Sequence, residues 1–258
     1  MFRYQNFAVD EGVINMLRLI LCLIVGFVRP VTAIADDFYF VDVNAHPLGF
    51  YDSNKKVQGV AVEIFERVMK NLNHEIELEL LPGKRVVYML KDGLADGVPF
   101  IRKTDRRAQY LDYSDEVLLF ERVYFYVKKG KGFTFNGDLS VIKQKKIAVI
   151  LGDSHGAAFD QLAASLDLVK TISLDSSFSM LLNNRVDVVV STELRAAKTL
   201  KSFPAGDIAR IANPMVTIPL YVAFSKKRNL TSLRDDFDKE LRVLKAIGFV
   251  ESVLKKWQ

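Results

Sequence analysis

From Phe38 onward, short alternating apolar runs take turns with stretches of helical spacing. Residues 38–43 (FYFVDV) alternate and are rich in β-formers, which predicts a strand. His46-Pro47 and Asp52-Ser53-Asn54 mark a loop and a turn. Over 59–72, Val60, Ile64, Phe65, Val68, Met69 and Leu72 fall on one broad helical face. Residues 76–80 alternate around Glu77 and Glu79, a second strand. A short helix over 85–90 is stopped by Gly93, and 96–101 reads as a third strand. Strand, helix, strand, helix, strand predicts an α/β lobe on a mainly parallel sheet.

The same alternation starts again further on. A strand over 123–127 ends in Lys128-Lys129-Gly130, and the polar, Gly-containing stretch 130–140 serves as a crossing. Strands are expected at 146–151, 169–172 and 186–190, with helices at 157–166, 176–182 and 193–200. A strand at 220–224 and helices at 232–246 and 250–257 complete the chain. The reading is an α/β fold of two Rossmann-like lobes: one set, a crossing, a second set and a return. A cleft between such lobes receives ligand at the facing strand ends.

The N-terminus has a different pattern. Residues 19–28 (LILCLIVGFV) are apolar, with Arg18 before them and Arg29-Pro30 after. Ten residues rise only about 15 Å as a helix, half the thickness of a hydrocarbon core. Ala33-Ile34-Ala35 then offers a small-x-small cleavage site, so 1–35 reads as an export signal and 36–258 as the mature chain. Asp10 and Glu11 are out of place in such a signal, and Met16 gives a cleaner start. A retained anchor helix is the alternative. Acylation at Cys22 is disfavoured, because Leu21 stands where a small residue is needed. Cys22 is the sole cysteine, so disulfides within the chain and Cys-rich zinc sites are excluded.

Half of the residues are hydrophobic and 26% are charged, a globular composition. The net charge of +5 is dispersed, and its densest groups, at 143–146 and 226–228, are short. Neither makes the basic stripe of a nucleic-acid binder. His46, His74 and His155 lie far apart and form no H-x-x-x-H pair, and no cofactor or metal motif is present. Gly152-Asp153-Ser154-His155-Gly156 matches G-x-S-x-G between a strand and a helix, but no later histidine can complete a triad in the usual order.

Several landmarks line up with a known family. They are PLGFYDSNKKVQGVAVEIFERVMKNL at 47–72, GLADG at 93–97, IRKTDRRAQYLDYSD at 101–115 and Gly248-Phe249. In this order the chain resembles the extracellular solute-binding proteins of family 3, the polar amino-acid type. These are two-lobed periplasmic clamps of the type II binding-protein fold that feed ABC importers. The resemblance covers nearly all of 36–258. It implies lobe 1 from 36–127 plus 220–258, lobe 2 from 128–219, and a two-segment hinge near 128 and 219. It also implies a periplasmic monomer that performs no chemistry, with a small polar or acidic ligand and the permease subunits as partners.

The resemblance also assigns residues. The Arg of the family's T-x-x-R turn forks onto the ligand carboxylate, and Thr104-Asp105-Arg106-Arg107 puts Arg107 there. A guanidinium suits that role because its planar donors meet two oxygens at once. Just before it, Phe100 is placed to stack on ligand or fill core, and Arg102 to add a second cation or face solvent. In lobe 2, the family's helix-start donors fall on Asp153 and Ser154. Asp153 would repel a carboxylate unless it caps the helix. The family's amino-group Asp falls on Thr192, with Glu193 next door but turned elsewhere. The aromatic lid falls near Ala45, with His46 beside it; Tyr51 and Arg85 are further cleft-edge candidates. Two other readings stay open. One is a periplasmic enzyme like the cyclohexadienyl dehydratases of this fold, with Glu193, Asp153 or His46 as acid or base. The other is a sensing clamp that docks on a receptor.

Overall fold

The computed structural model describes residues 37–153 and 155–257. Residues 1–35, expected to be an export signal and including Met16 and Cys22, and the candidate Ser154 lie outside the described residues.

The first set of elements is β1 (Asp37–Asp42), a hairpin of β2 (Phe50–Tyr51) and β3 (Val57–Gln58), α1 (Val60–Asn71), β4 (Glu75–Leu80), α2 (Gly83–Asp92) and β5 (Gly97–Arg102). Short α3 (Asp105–Ala108) and β6 (Leu111–Tyr113) follow, then the long strand β7 (Leu119–Lys128). The second set is β8 (Lys146–Ile150), α4 (Ala157–Leu162), β9 (Asp167–Thr171), α5 (Leu174–Leu182), β10 (Val188–Thr192), α6 (Glu193–Leu200) and β11 (Ile208–Arg210). Strand β12 (Val216–Ser225) returns, and α7 (Thr231–Ala246) and α8 (Phe249–Lys256) close the chain.

Ten strands form one sheet, whose main path runs β4-β1-β5-β12-β7-β10-β8-β9. The outer trios, β4-β1-β5 and β10-β8-β9, are parallel, as each strand-helix-strand unit demands. The two central strands are antiparallel to their neighbours and join the trios. β7 and β12 pair with each other over 119–123 and 216–220. Past that stretch β7 pairs with β10 and β12 pairs with β5.

Side-chain alternation along β7 shows how both faces of the second trio are covered. Val123, Phe125 and Val127 pack on one face with Ile147, Phe159 and Val190. Tyr124 and Tyr126 pack on the other with Phe178 and Val189. The first trio is covered in the same way. Phe40, Phe65, Phe224 and Phe237 fill the side of α1 and α7, while Val41, Leu90, Val98 and Ala223 fill the side of α2. Val123, Phe125 and Val127, which the expected boundary near 128 gives to the first lobe, pack against residues of β8 and β10.

Gly59 fixes how the first loop meets α1. Its φ is 149°, and a Cβ there would lie 2.2 Å from the Leu48 carbonyl oxygen. That close approach lets the N–H groups of Val60 and Ala61 donate to the carbonyls of Pro47 and Leu48. The residues after β1 are thereby held against the start of α1. Gly93, at φ 73°, ends α2 as expected. The helix expected over 157–166 instead breaks into α4 and a 3₁₀ turn at Ala163–Ser165. Among the described residues no helix is long and apolar enough to cross a membrane.

Candidate functional site

The C-terminal ends of parallel strands β1, β5, β8 and β10 point toward one region, where the connecting loops diverge. A cavity of about 470 Å³ lies there. Asp42, Phe100, Arg102 and Arg107 line it from the first set, and Gly152, Asp153, His155, Thr192 and Arg195 from the second. Glu121 and Leu220 of the two central strands also line it. Five of the seven sequence-derived site residues are thus brought together: Phe100, Arg102, Arg107, Asp153 and Thr192.

Arg107 is positioned by α3. The Thr104 hydroxyl accepts the Arg107 backbone N–H at 3.3 Å, capping this single turn. The guanidinium donates from Nη1 to the Arg102 carbonyl at 2.9 Å. Among the described residues no carboxylate forms an ion pair with it. Arg102 also faces the cavity, but Glu121 of β7 holds its guanidinium at 2.8 Å. Phe100 is buried and at the same time reaches the cavity wall. Its ring packs against Gly49, where a Cβ would lie 2.7 Å from the ring.

Asp153 does not cap α4, which starts after Gly156 without a side-chain cap. It is paired instead with Arg195 in the first turn of α6. That pairing resolves the repulsion its charge would otherwise exert on an anion. Thr192 ends β10 and occupies the N-cap position of α6 without a side-chain capping bond. Thus its hydroxyl is not committed to the helix.

His46 does not line this cavity. It stacks beside Phe50 at a ring separation of 4.3 Å, and its Nε2 lies 2.7 Å from Lys198 Nζ. Burial, then Lys198 and Arg195, lower its pKa from the usual histidine value. Tyr51 and Arg85 are likewise off the cavity wall; the Tyr51 hydroxyl accepts the Leu80 N–H at 3.0 Å. Glu193 turns away, as expected, and pairs with Arg210 and with Arg122 at 3.6 Å.

Among the wall residues that were not anticipated are Asp42, Glu121, His155 and Arg195. Asp42 is buried, and its oxygens accept the N–H groups of Val43 at 2.7 Å and Phe100 at 3.3 Å. Burial pushes its pKa well above the usual carboxylate range. Among the described residues the Nε2 atom of His155 is buried without a hydrogen-bond partner, and burial lowers that imidazole's pKa. Asp42 and Arg195 share one sequence signal: each lies at, or just beyond, the C-terminal end of a parallel strand. Among the described residues no group of acids, histidines or cysteines could hold a metal ion.

The chain matches the family of bacterial extracellular solute-binding proteins, family 3, across residues 39–258, and it belongs to that family. A search of curated proteins by sequence returns no match. Solved structures share the type II periplasmic binding-protein fold. An ancestral arginine-binding protein bound to arginine is 24% identical, with 86% of this chain and 97% of that one covered at a TM-score of 0.63. A probable amino-acid ABC transporter extracellular-binding protein from Bacillus subtilis is 16% identical, with 86% and 97% covered at a TM-score of 0.70. An ancestral amino-acid-binding protein, described as a precursor of cyclohexadienyl dehydratase, is 19% identical, with 86% and 94% covered at a TM-score of 0.64.

Proposed function

We propose that this protein is an exported, monomeric clamp that captures a small polar ligand bearing a carboxylate and delivers it to the permease of an ABC importer. Arg107 carries the reading: among the described residues its guanidinium forms no ion pair, and it stands on the wall of a cavity that both halves of the sheet build. The two sets of elements are the lobes, and the hinge is the paired stretch 119–123 and 216–220. A ligand that touches both lobes favours the closed arrangement because only there are all its contacts made. The family and the transporter relative of similar fold support delivery to a permease. Residues 1–35 supply the export signal that a periplasmic location requires.

One observation favours a second, enzymatic reading. Asp42 is a carboxyl in the cavity wall whose pKa is pushed up by burial, the state a general acid needs. The other candidate acids are engaged, Asp153 by Arg195 and Glu193 by Arg122 and Arg210. A thermal-shift screen against small carboxylates, with each hit recovered and analysed chemically, separates the two. A ligand that raises the melting temperature and returns unchanged supports the clamp. One that returns dehydrated supports the enzyme.

A further inference from the structure

One face of α6 lies against the first set of elements. Leu194 and Lys198 stand one turn apart on that face. Leu194 packs in the first set's core with Leu48 and Phe100. Lys198 reaches the loop after β1 and the hairpin strand β2. Its Nζ lies 2.7 Å from His46 Nε2 and 5.6 Å from the centre of the Phe50 ring. The Phe50 ring is itself held. It stacks beside His46 at 4.3 Å and meets Trp257 edge-on at 6.0 Å, and Trp257 Nε1 donates to Glu63 at 2.9 Å. Lys198, His46 and Phe50 do not line the ligand cavity. The contact therefore joins the two halves without reaching a ligand.

The consequence rests on the clamp reading. If the halves are lobes that swing about 119–123 and 216–220, opening carries α6 away from the loop after β1 and breaks this contact. A hydrogen bond from a charged donor and a cation over an aromatic face then favour the closed state alone, together by about tenfold. Ligand enters the open clamp, so arrival does not depend on the contact. Escape requires opening, so it does.

We propose that Lys198 sets the affinity of the clamp without touching its ligand, by latching α6 of the second lobe onto His46 and Phe50 of the first when the lobes close. Calorimetric titration of the purified full chain with the standard amino acids, lactate and malate identifies the probes that bind, and stopped-flow kinetics gives their rates. Lys198→Ala is expected to speed dissociation about tenfold and to leave association within about twofold of wild type. Lys198→Arg keeps a cation with donors and is expected to restore most of the affinity. His46→Ala also speeds dissociation, and the double variant goes no further than Lys198→Ala alone, because the two side chains make one contact. Lys198 is exposed, so its truncation spares the core, and melting curves verify the fold of each variant. An unchanged dissociation rate in folded Lys198→Ala overturns the latch and leaves the clamp reading standing. So does a double variant in which the two single effects multiply. No binding by any probe overturns both.

Discussion

Lys198 Nζ lies 2.7 Å from His46 Nε2, joining α6 of the second half to the loop after β1 of the first. The same ammonium sits 5.6 Å from the centre of the Phe50 ring. A lysine ammonium has no acceptor, so the imidazole must accept through an unprotonated Nε2. His46, which the sequence suggests as part of a ligand lid, is thus a link between the halves.

This link titrates. An unfolded imidazole has a pKa of about 6.5, and burial, Lys198 and Arg195 lower the folded value. A lowered folded pKa means the unfolded chain binds the proton more readily. The contribution to stability is therefore complete above about pH 6.5 and is lost as pH falls through the folded value. His46→Gln keeps an acceptor but removes the titration. Denaturant unfolding at several pH values between 5 and 8 should give a shallower rise of stability with pH in the variant. His155, lowered by its own burial, retains part of the slope.

Asp42 acts in the opposite direction. Its raised pKa means that the folded state binds the proton more readily than the unfolded chain. Wild-type stability relative to Asp42→Asn should fall as pH rises from about 4. Parallel unfolding curves of the two proteins check this, and a difference independent of pH would contradict the assignment.

Gly59 tests the local architecture. Gly59→Ala sets a methyl group against the Leu48 carbonyl at a φ that an L-residue rarely adopts. The expected loss is about 2 kcal/mol or more in denaturant unfolding. A loss below about 0.5 kcal/mol would mean that the loop after β1 is not held as described.

The helices and parallel trios are legible in the sequence because their periodicity is local. The face from Val60 to Met69 packs in the core as its spacing demands, and β7 alternates between two apolar clusters. Strands β6 and β11 have three residues each and carry too few positions for a period to show. The first part of β7, where Phe120 and Arg122 flank Glu121, lacks an apolar pattern because this stretch links the halves and is incompletely buried. Arg107 is legible in the site through its motif. The Arg195–Asp153 and Arg102–Glu121 pairs are not, because the folded chain brings together residues separated by 42 and 19 positions.

The most direct test of the clamp is Arg107 itself. A carboxylic acid that raises the wild-type melting temperature is titrated calorimetrically against wild type and Arg107→Ala. Loss of a desolvated charge pair costs about 2–5 kcal/mol, so affinity should fall at least about thirtyfold. The melting temperature without ligand should stay close to wild type, because among the described residues Arg107 forms no ion pair and its guanidinium donates to a single backbone carbonyl. Unchanged affinity in a folded variant would show that the ligand does not use this guanidinium, and the proposed capture mechanism would be wrong.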